Sequence, residues 1–135
     1  MKRNIRFIVI DDDSINNTIC KITIEMALGS ADIKTFTDPE AGFEFMSSEF
    51  LTHGSNDLSI MLLDLNMPTM SGWEFLERFD NLNSVIKKQV KIYILSSSVD
   101  DRDRERSYSN KNVTDFLVKP LIVDTIHKML RHAEN

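Results

Sequence analysis

Asp11, Asp12, Asp64, Ser96 and Lys119 are the side chains of this sequence whose types and placement could do chemistry. Each stands where an apolar run stops. Ile5 to Ile10 ends in Asp11-Asp12-Asp13, Ile60 to Leu63 in Asp64, Ile92 to Leu95 in Ser96-Ser97-Ser98, and Phe116 to Val118 in Lys119-Pro120. Apolar runs without alternation read as strands buried on both faces, as in a parallel sheet covered by helices. The carboxyl ends of parallel strands share one edge, where open α/β folds place their ligands. Alone, Asp64 would read as a turn opener or a helix cap. The other strand ends turn it into a member of a site. Two like charges about 4 Å apart cost on the order of 4 kcal/mol at an effective dielectric of about 20, so the crowded acids need an offset. Lys119 supplies one positive charge and a divalent cation would supply more. An all-oxygen donor set suits Mg²⁺ or Mn²⁺. No histidine falls near these strand ends and Cys20 lies within a helix, which argues against zinc.

Five short strands alternate with helical patterns, which predicts βαβ units with right-handed crossovers. The expected fold class is α/β, a doubly wound (βα)5 three-layer sandwich. Its five-stranded parallel sheet would have the flavodoxin-like order 2-1-3-4-5, whose switch point brings Asp11-Asp12 beside Asp64. Asp13 reads as opening a turn and Ser14 as capping the first helix. Ile15, Ile19, Ile22 and Met26 share one face of that helix, read as its buried face, and Gly29 ends it. Asp38-Pro39 starts the second helix, with Phe43, Met46 and Phe50 inward. Gly72 opens the third over Phe75, Leu76, Phe79 and Leu82, fading through Asn81 to Ser84. The fourth, from Asp100 to Arg106, is nearly all charge. Asp100 with Arg104 and Asp103 with Arg106 have helical spacing, each pair worth only ~0.3 kcal/mol. Val99 and Tyr108 are almost its only apolar anchors, so it is expected to be the least stable helix. Ile122, Ile126, Met129 and Leu130 form the buried stripe of the last.

The chain has 135 residues, enough for one domain with a core that needs no disulfide or structural metal. Its net charge of -5 argues against nucleic acid or an anionic membrane as chief partner. A single cysteine allows no internal disulfide and suits a reducing cytoplasm. No run reaches transmembrane length, and the first apolar run is too short for a secretory signal.

Asp11-Asp12, Asp64-Leu65-Asn66-Met67-Pro68-Thr69-Met70-Ser71-Gly72, Ser96-Ser97 and Lys119-Pro120, in this order and spacing, resemble the receiver domain of two-component response regulators. The resemblance covers the whole chain, as a single receiver domain over 1–135 with no output domain. It implies that Asp64 is the phosphoacceptor, taking a phosphoryl group from the phosphohistidine of a sensor histidine kinase or a phosphotransfer protein. It further implies that Asp12 and Asp64 ligate Mg²⁺ (Mn²⁺ as an alternative), Asp11 largely through water and Asn66 through its backbone carbonyl. Ser96, Ser97 and Lys119 would bind phosphoryl oxygens, Ser96 and Phe116 would form the switch, and the Lys119-Pro120 peptide would be cis. A downstream protein would read the switched surface, in the cytoplasm, and the chain would not be an enzyme beyond its own phosphorylation and dephosphorylation. The chemistry agrees on its own terms. A carboxylate can attack phosphorus, and phosphoryl transfer needs chiefly positioning and charge stabilisation. Two positions depart from the common pattern: Ser96 often appears as Thr and Phe116 as Tyr.

Two other readings fit less of the sequence. A Mg²⁺-dependent phosphohydrolase with an Asp nucleophile would want a second acid where Asn66 stands, and a cap domain. A receiver fold that docks partners without phosphorylation would not need Asp12, Asp64, Ser96 and Lys119 together. Trp73 reads as a packing residue, His53, His127 and His132 as solvated, and Asn110-Lys111-Asn112 as a turn.

Overall fold

The computed structural model describes residues 4–49, 57–98 and 100–133. The strands are β1 (Ile5–Ile10), β2 (Asp32–Phe36), β3 (Leu58–Leu63), β4 (Val90–Ser96) and β5 (Val113–Val118). They form one sheet in the order β2-β1-β3-β4-β5, and every neighbouring pair is parallel. This is the flavodoxin-like order expected from the strand ends. β3 lies between β1 and β4 and is buried along its whole length, which is why its six residues show no polar alternation.

The helices are α1 (Ser14–Leu28), α2 (Pro39–Glu49), α3 (Gly72–Asp80), α4 (Ser84–Lys88), α5 (Asp101–Tyr108) and α6 (Val123–Ala133). Alternate strand residues point to opposite faces, so two cores form. Ile8, Ile10, Met61, Leu63, Ile92 and Ile94 pack with Phe43, Met46, Phe75, Leu76, Phe79 and Ile86 of α2, α3 and α4. Phe7, Val9, Ile60, Leu62 and Leu95 pack on the other face with Cys20 and Ile24 of α1 and Ile126, Met129 and Ala133 of α6.

The structure corrects several expectations. Five helices were expected, and α4 is a sixth among the described residues. It is a single short turn over the buried Ile86, capped by the Asn83 carboxamide oxygen, which accepts from the Ile86 amide at 3.0 Å. So few residues leave no readable periodicity. The first helix is capped by Asp13, whose Oδ1 accepts from the Ile15 amide at 2.9 Å, and Ser14 is already helical. Ile15, Ile19, Ile22 and Met26 face solvent, 70%, 41%, 52% and 72% exposed. The buried face of α1 is Asn16, Asn17, Cys20 and Ile24. Its site end is polar because it packs on Asp11, and that polarity hid the true stripe. Of the stripe expected for the last helix, Ile122 falls just before α6 and is exposed, while Ile126 and Met129 are on the helix and buried. Phe50, His53 and Val99 lie outside the described residues.

On α5, neither pairing read from helical spacing accounts for its arginines. Arg102 holds Asp100 at 2.9 Å, while the guanidinium groups of Arg104 and Arg106 lie 5.5 Å and 4.2 Å from the ring centres of Phe116 and Trp73. Tyr108 is exposed, and the buried side chain of α5 is Ser107.

Asp13→Ala removes the α1 cap beside the acidic cluster. A loss of about 1 kcal/mol is expected, read as a lowered urea midpoint with unchanged slope.

Candidate functional site

β1 and β3 are in register, Ile10 against Leu63, so the residues that follow them emerge side by side. The Asp64 amide donates to the Ile10 carbonyl at 3.0 Å, and the Asp11 amide to the Phe36 carbonyl at 3.1 Å. The two carboxylates are thereby fixed at the sheet's carboxyl edge, where the chain order turns from β2-β1 to β3-β4. One ligand atom from each of Asp11, Asp12 and Asp64 lies within 4.8 Å of the others. Asp11 and Asp64 are buried and Asp12 is exposed.

Lys119 comes from the end of β5. Its ammonium lies 2.7 Å from Asp11 Oδ2 and 3.6 Å from Asp64 Oδ1. The Lys119 amide donates to the Ser96 carbonyl at 2.9 Å, joining the ends of β4 and β5. The Lys119-Pro120 peptide is cis. Ser96 is fully buried, and its Oγ accepts from the Ser98 amide at 3.0 Å. The Ser98 Oγ in turn accepts from the Asp100 amide at 3.2 Å and donates to Asp103 Oδ2 at 3.4 Å, linking this loop to α5. Ser97 is exposed. Phe116, on β5, is turned inward and buried, with Arg104 over its ring.

Two residues that the sequence reading passed over complete the first acid's surroundings. Asn16 Nδ2 donates to Asp11 Oδ2 at 2.8 Å, and Asn17 Nδ2 donates to the Asp11 carbonyl at 3.0 Å. The Asp13 amide donates to Asp11 Oδ1 at 2.9 Å. A pair of asparagines on the helix following an acidic strand end was the available signal. It went unread because the isoleucine stripe made a stronger pattern.

Burial first, and then the Asp11 charge, raise the Asp64 carboxyl to a pKa of about 6 against the opposing pull of Lys119. The Asn66 backbone amide also bonds the Asp64 carboxylate and favours its charged form. Burial alone would lower the Lys119 ammonium, but its hydrogen bond to Asp11 and the charge of Asp64 outweigh that and leave it raised. Lys119 therefore remains a cation. Cys20 is pushed up to about 12, chiefly by burial and then by the Asp11 charge, so it is an inert thiol.

Gly72 positions the loop after Asp64. Its amide donates to the Leu65 carbonyl at 2.9 Å. A Cβ there would lie 2.6 Å from the Asp64 carbonyl oxygen and 2.9 Å from Leu65 Cα. Ser71 caps α3 with Glu74 as a capping box, turning the chain away from the site.

The donor set fits a hard divalent cation: three carboxylates brought together at one edge, one of them solvent-facing, with the Asp11 charge adding to burial in raising Asp64.

Residues 7–131 match the response regulator receiver domain family, and the chain belongs to it. The fold is closely shared with a two-component response regulator from Cytophaga hutchinsonii. That match is 27% identical, with a TM-score of 0.87, covering 100% of this chain and 99% of that one. A response regulator receiver protein from Dyadobacter fermentans gives 24% identity and a TM-score of 0.82, over 96% and 98% of the two chains. Over 75 residues, 56% of this chain, the sequence is 28% identical to the probable methanogenesis regulatory protein FilR2 of Methanothrix harundinacea. That match spans 46% of FilR2, just under half of its length. Among the described residues, no helix is long and apolar enough to cross a membrane.

Proposed function

We propose that this receiver domain is a phosphorylation switch in which Asp64 accepts a phosphoryl group from a phosphohistidine. The observation that carries this reading is the central buried Asp64, with two acids and a lysine converging on it from other strand ends. With a pKa of about 6, Asp64 is mostly ionised at pH 7 and able to attack. One carboxylate oxygen bonds to phosphorus, the phosphorus–nitrogen bond breaks, and the electron pair leaves with the imidazole nitrogen. Asp12, Asp64 and the Asn66 carbonyl would hold Mg²⁺, with Asp11 engaged through water, and the ion would supply charge to the equatorial oxygens. Lys119, whose ammonium lies 3.6 Å from Asp64 Oδ1, and the Ser96 hydroxyl would bind the oxygens of the incoming phosphoryl group.

The donor is a sensor kinase or phosphotransfer protein carrying its histidine on a helix. The four exposed apolar residues of α1 repeat at coiled-coil spacing and start beside the Asp13 cap. A short exposed stripe of this kind suits a partner that must leave after transfer. The net charge of -5 speaks against nucleic acid as a direct partner. The domain works in the cytoplasm as a switch rather than as a turnover enzyme. A downstream protein reads the movement of the loop after Ser96 and of α5.

Intact mass after incubation with Mg²⁺ and acetyl phosphate tests the proposal. One added phosphoryl group is expected for the parent chain. None is expected without Mg²⁺, and none in Asp64→Asn. Equal labelling of that variant would overturn the assignment of Asp64.

A further inference from the structure

We propose that Asn16 is a positioning residue of the site: its carboxamide keeps Asp11 in place when the Lys119 ammonium moves from Asp11 to the phosphoryl group. This rests on the phosphoacceptor reading above. Asp11 is 1% exposed, and a buried anion is tolerated only while its oxygens are hydrogen-bonded. In the structure Oδ2 has two donors, the Lys119 ammonium at 2.7 Å and Asn16 Nδ2 at 2.8 Å, while Oδ1 has the Asp13 amide at 2.9 Å. The two Oδ2 donors are not equivalent. Lys119 is on a long flexible arm already divided between Asp11 and Asp64, 3.6 Å from the latter. A phosphoryl group on Asp64 brings several more anionic oxygens to that side, and the ammonium shifts toward them.

Asn16 cannot follow. It is fixed on the buried face of α1, its carboxamide also reaching the buried Cys20 Sγ at 3.7 Å. It is neutral, so it adds nothing that competes with the phosphoryl group for Lys119. With Lys119 gone, Asn16 on Oδ2 and the Asp13 amide on Oδ1 still leave each oxygen of Asp11 with a donor. The carboxylate then keeps its orientation toward Asp12 and Asp64. The ammonium is free to change partners because a second donor already stands at the oxygen it leaves.

A purely structural hydrogen bond would weaken every state of the protein alike, and this separates the two roles. The test compares ligand affinities of the intact chain by calorimetry: Mg²⁺ alone, in which Lys119 stays on Asp11, and beryllofluoride with saturating Mg²⁺, which mimics the phosphoryl group and draws Lys119 away. For Asn16→Leu, the Mg²⁺ dissociation constant is expected to change less than about twofold and the beryllofluoride constant to rise about tenfold, as for loss of one hydrogen bond to a buried charge. Asn16→Ser, which leaves room for a water donor, is expected to lie between Asn16→Leu and the parent, and serves if Asn16→Leu does not fold. Equal changes in the two constants, or none, would overturn the role of Asn16. A parent chain that does not bind beryllofluoride would instead overturn the phosphoacceptor reading.

Discussion

In the absence of divalent cations at pH 8, Asp64→Asn is expected to melt roughly 5–10 °C above the parent, a gain on the order of 2 kcal/mol. The cause is the raised pKa of Asp64, about 6, against about 4 for an unfolded aspartate. A carboxyl that ionises less readily in the fold than in the unfolded chain destabilises the fold once it is charged. That penalty is complete above about pH 6. It shrinks as pH falls through the folded value and is gone near the unfolded value, about pH 4. The advantage of the asparagine should therefore shrink in parallel. Millimolar Mg²⁺ should raise the parent's melting temperature more than the variant's and narrow the gap, because the ion binds the native cluster. Thermal scans at pH 8 and pH 5, with chelator and with Mg²⁺, check all three effects. A variant that melts at or below the parent at pH 8 in chelator would show that the charged Asp64 does not destabilise the fold.

Gly72→Val should be the most damaging single change near the site. The atoms its Cβ meets are backbone, the Asp64 carbonyl oxygen at 2.6 Å and Leu65 Cα at 2.9 Å. Neither can yield without moving the loop that follows Asp64. A cost of about 3 kcal/mol or more is expected, with a fall in melting temperature of roughly 10 °C or more. Gly42→Ala is the informative control. Its nearest contact, at 2.7 Å, is Ile10 Cδ1, the end of a side chain, which can rotate away. It should cost less than half as much. Denaturant midpoints of the two variants make the comparison, and equal losses would refute the special tightness of the turn under Asp64.

The sheet order and the meeting of Asp11, Asp12, Asp64 and Lys119 were legible because strand ends are marked by an abrupt change of polarity, which a buried parallel sheet enforces on its own sequence. Helix faces were harder. α1 is covered on one side by β1 and the site, and that side must satisfy Asp11, so it carries Asn16 and Asn17 where a generic core would carry leucine. The isoleucines that look like a core stripe are left for the outside. α5 misled in the opposite direction. Its charges suggested pairing along the helix, whereas Arg104 and Arg106 reach rings on β5 and α3 that are distant in sequence. No local spacing encodes such contacts. The cap at Asp13 was within reach of the sequence, since both Asp13 and Ser14 can cap a helix, and only the backbone decides between them.

The contact between Arg106 and Trp73 has an optical consequence. Trp73 is the sole tryptophan of the chain. It stands next to Gly72 on α3, packed against the core from a half-buried position, while the guanidinium over its ring belongs to α5. A cation held against an indole changes the energy of its excited state. The emission of this protein is therefore tied to where α5 lies, and the chain carries an intrinsic gauge of that helix's position.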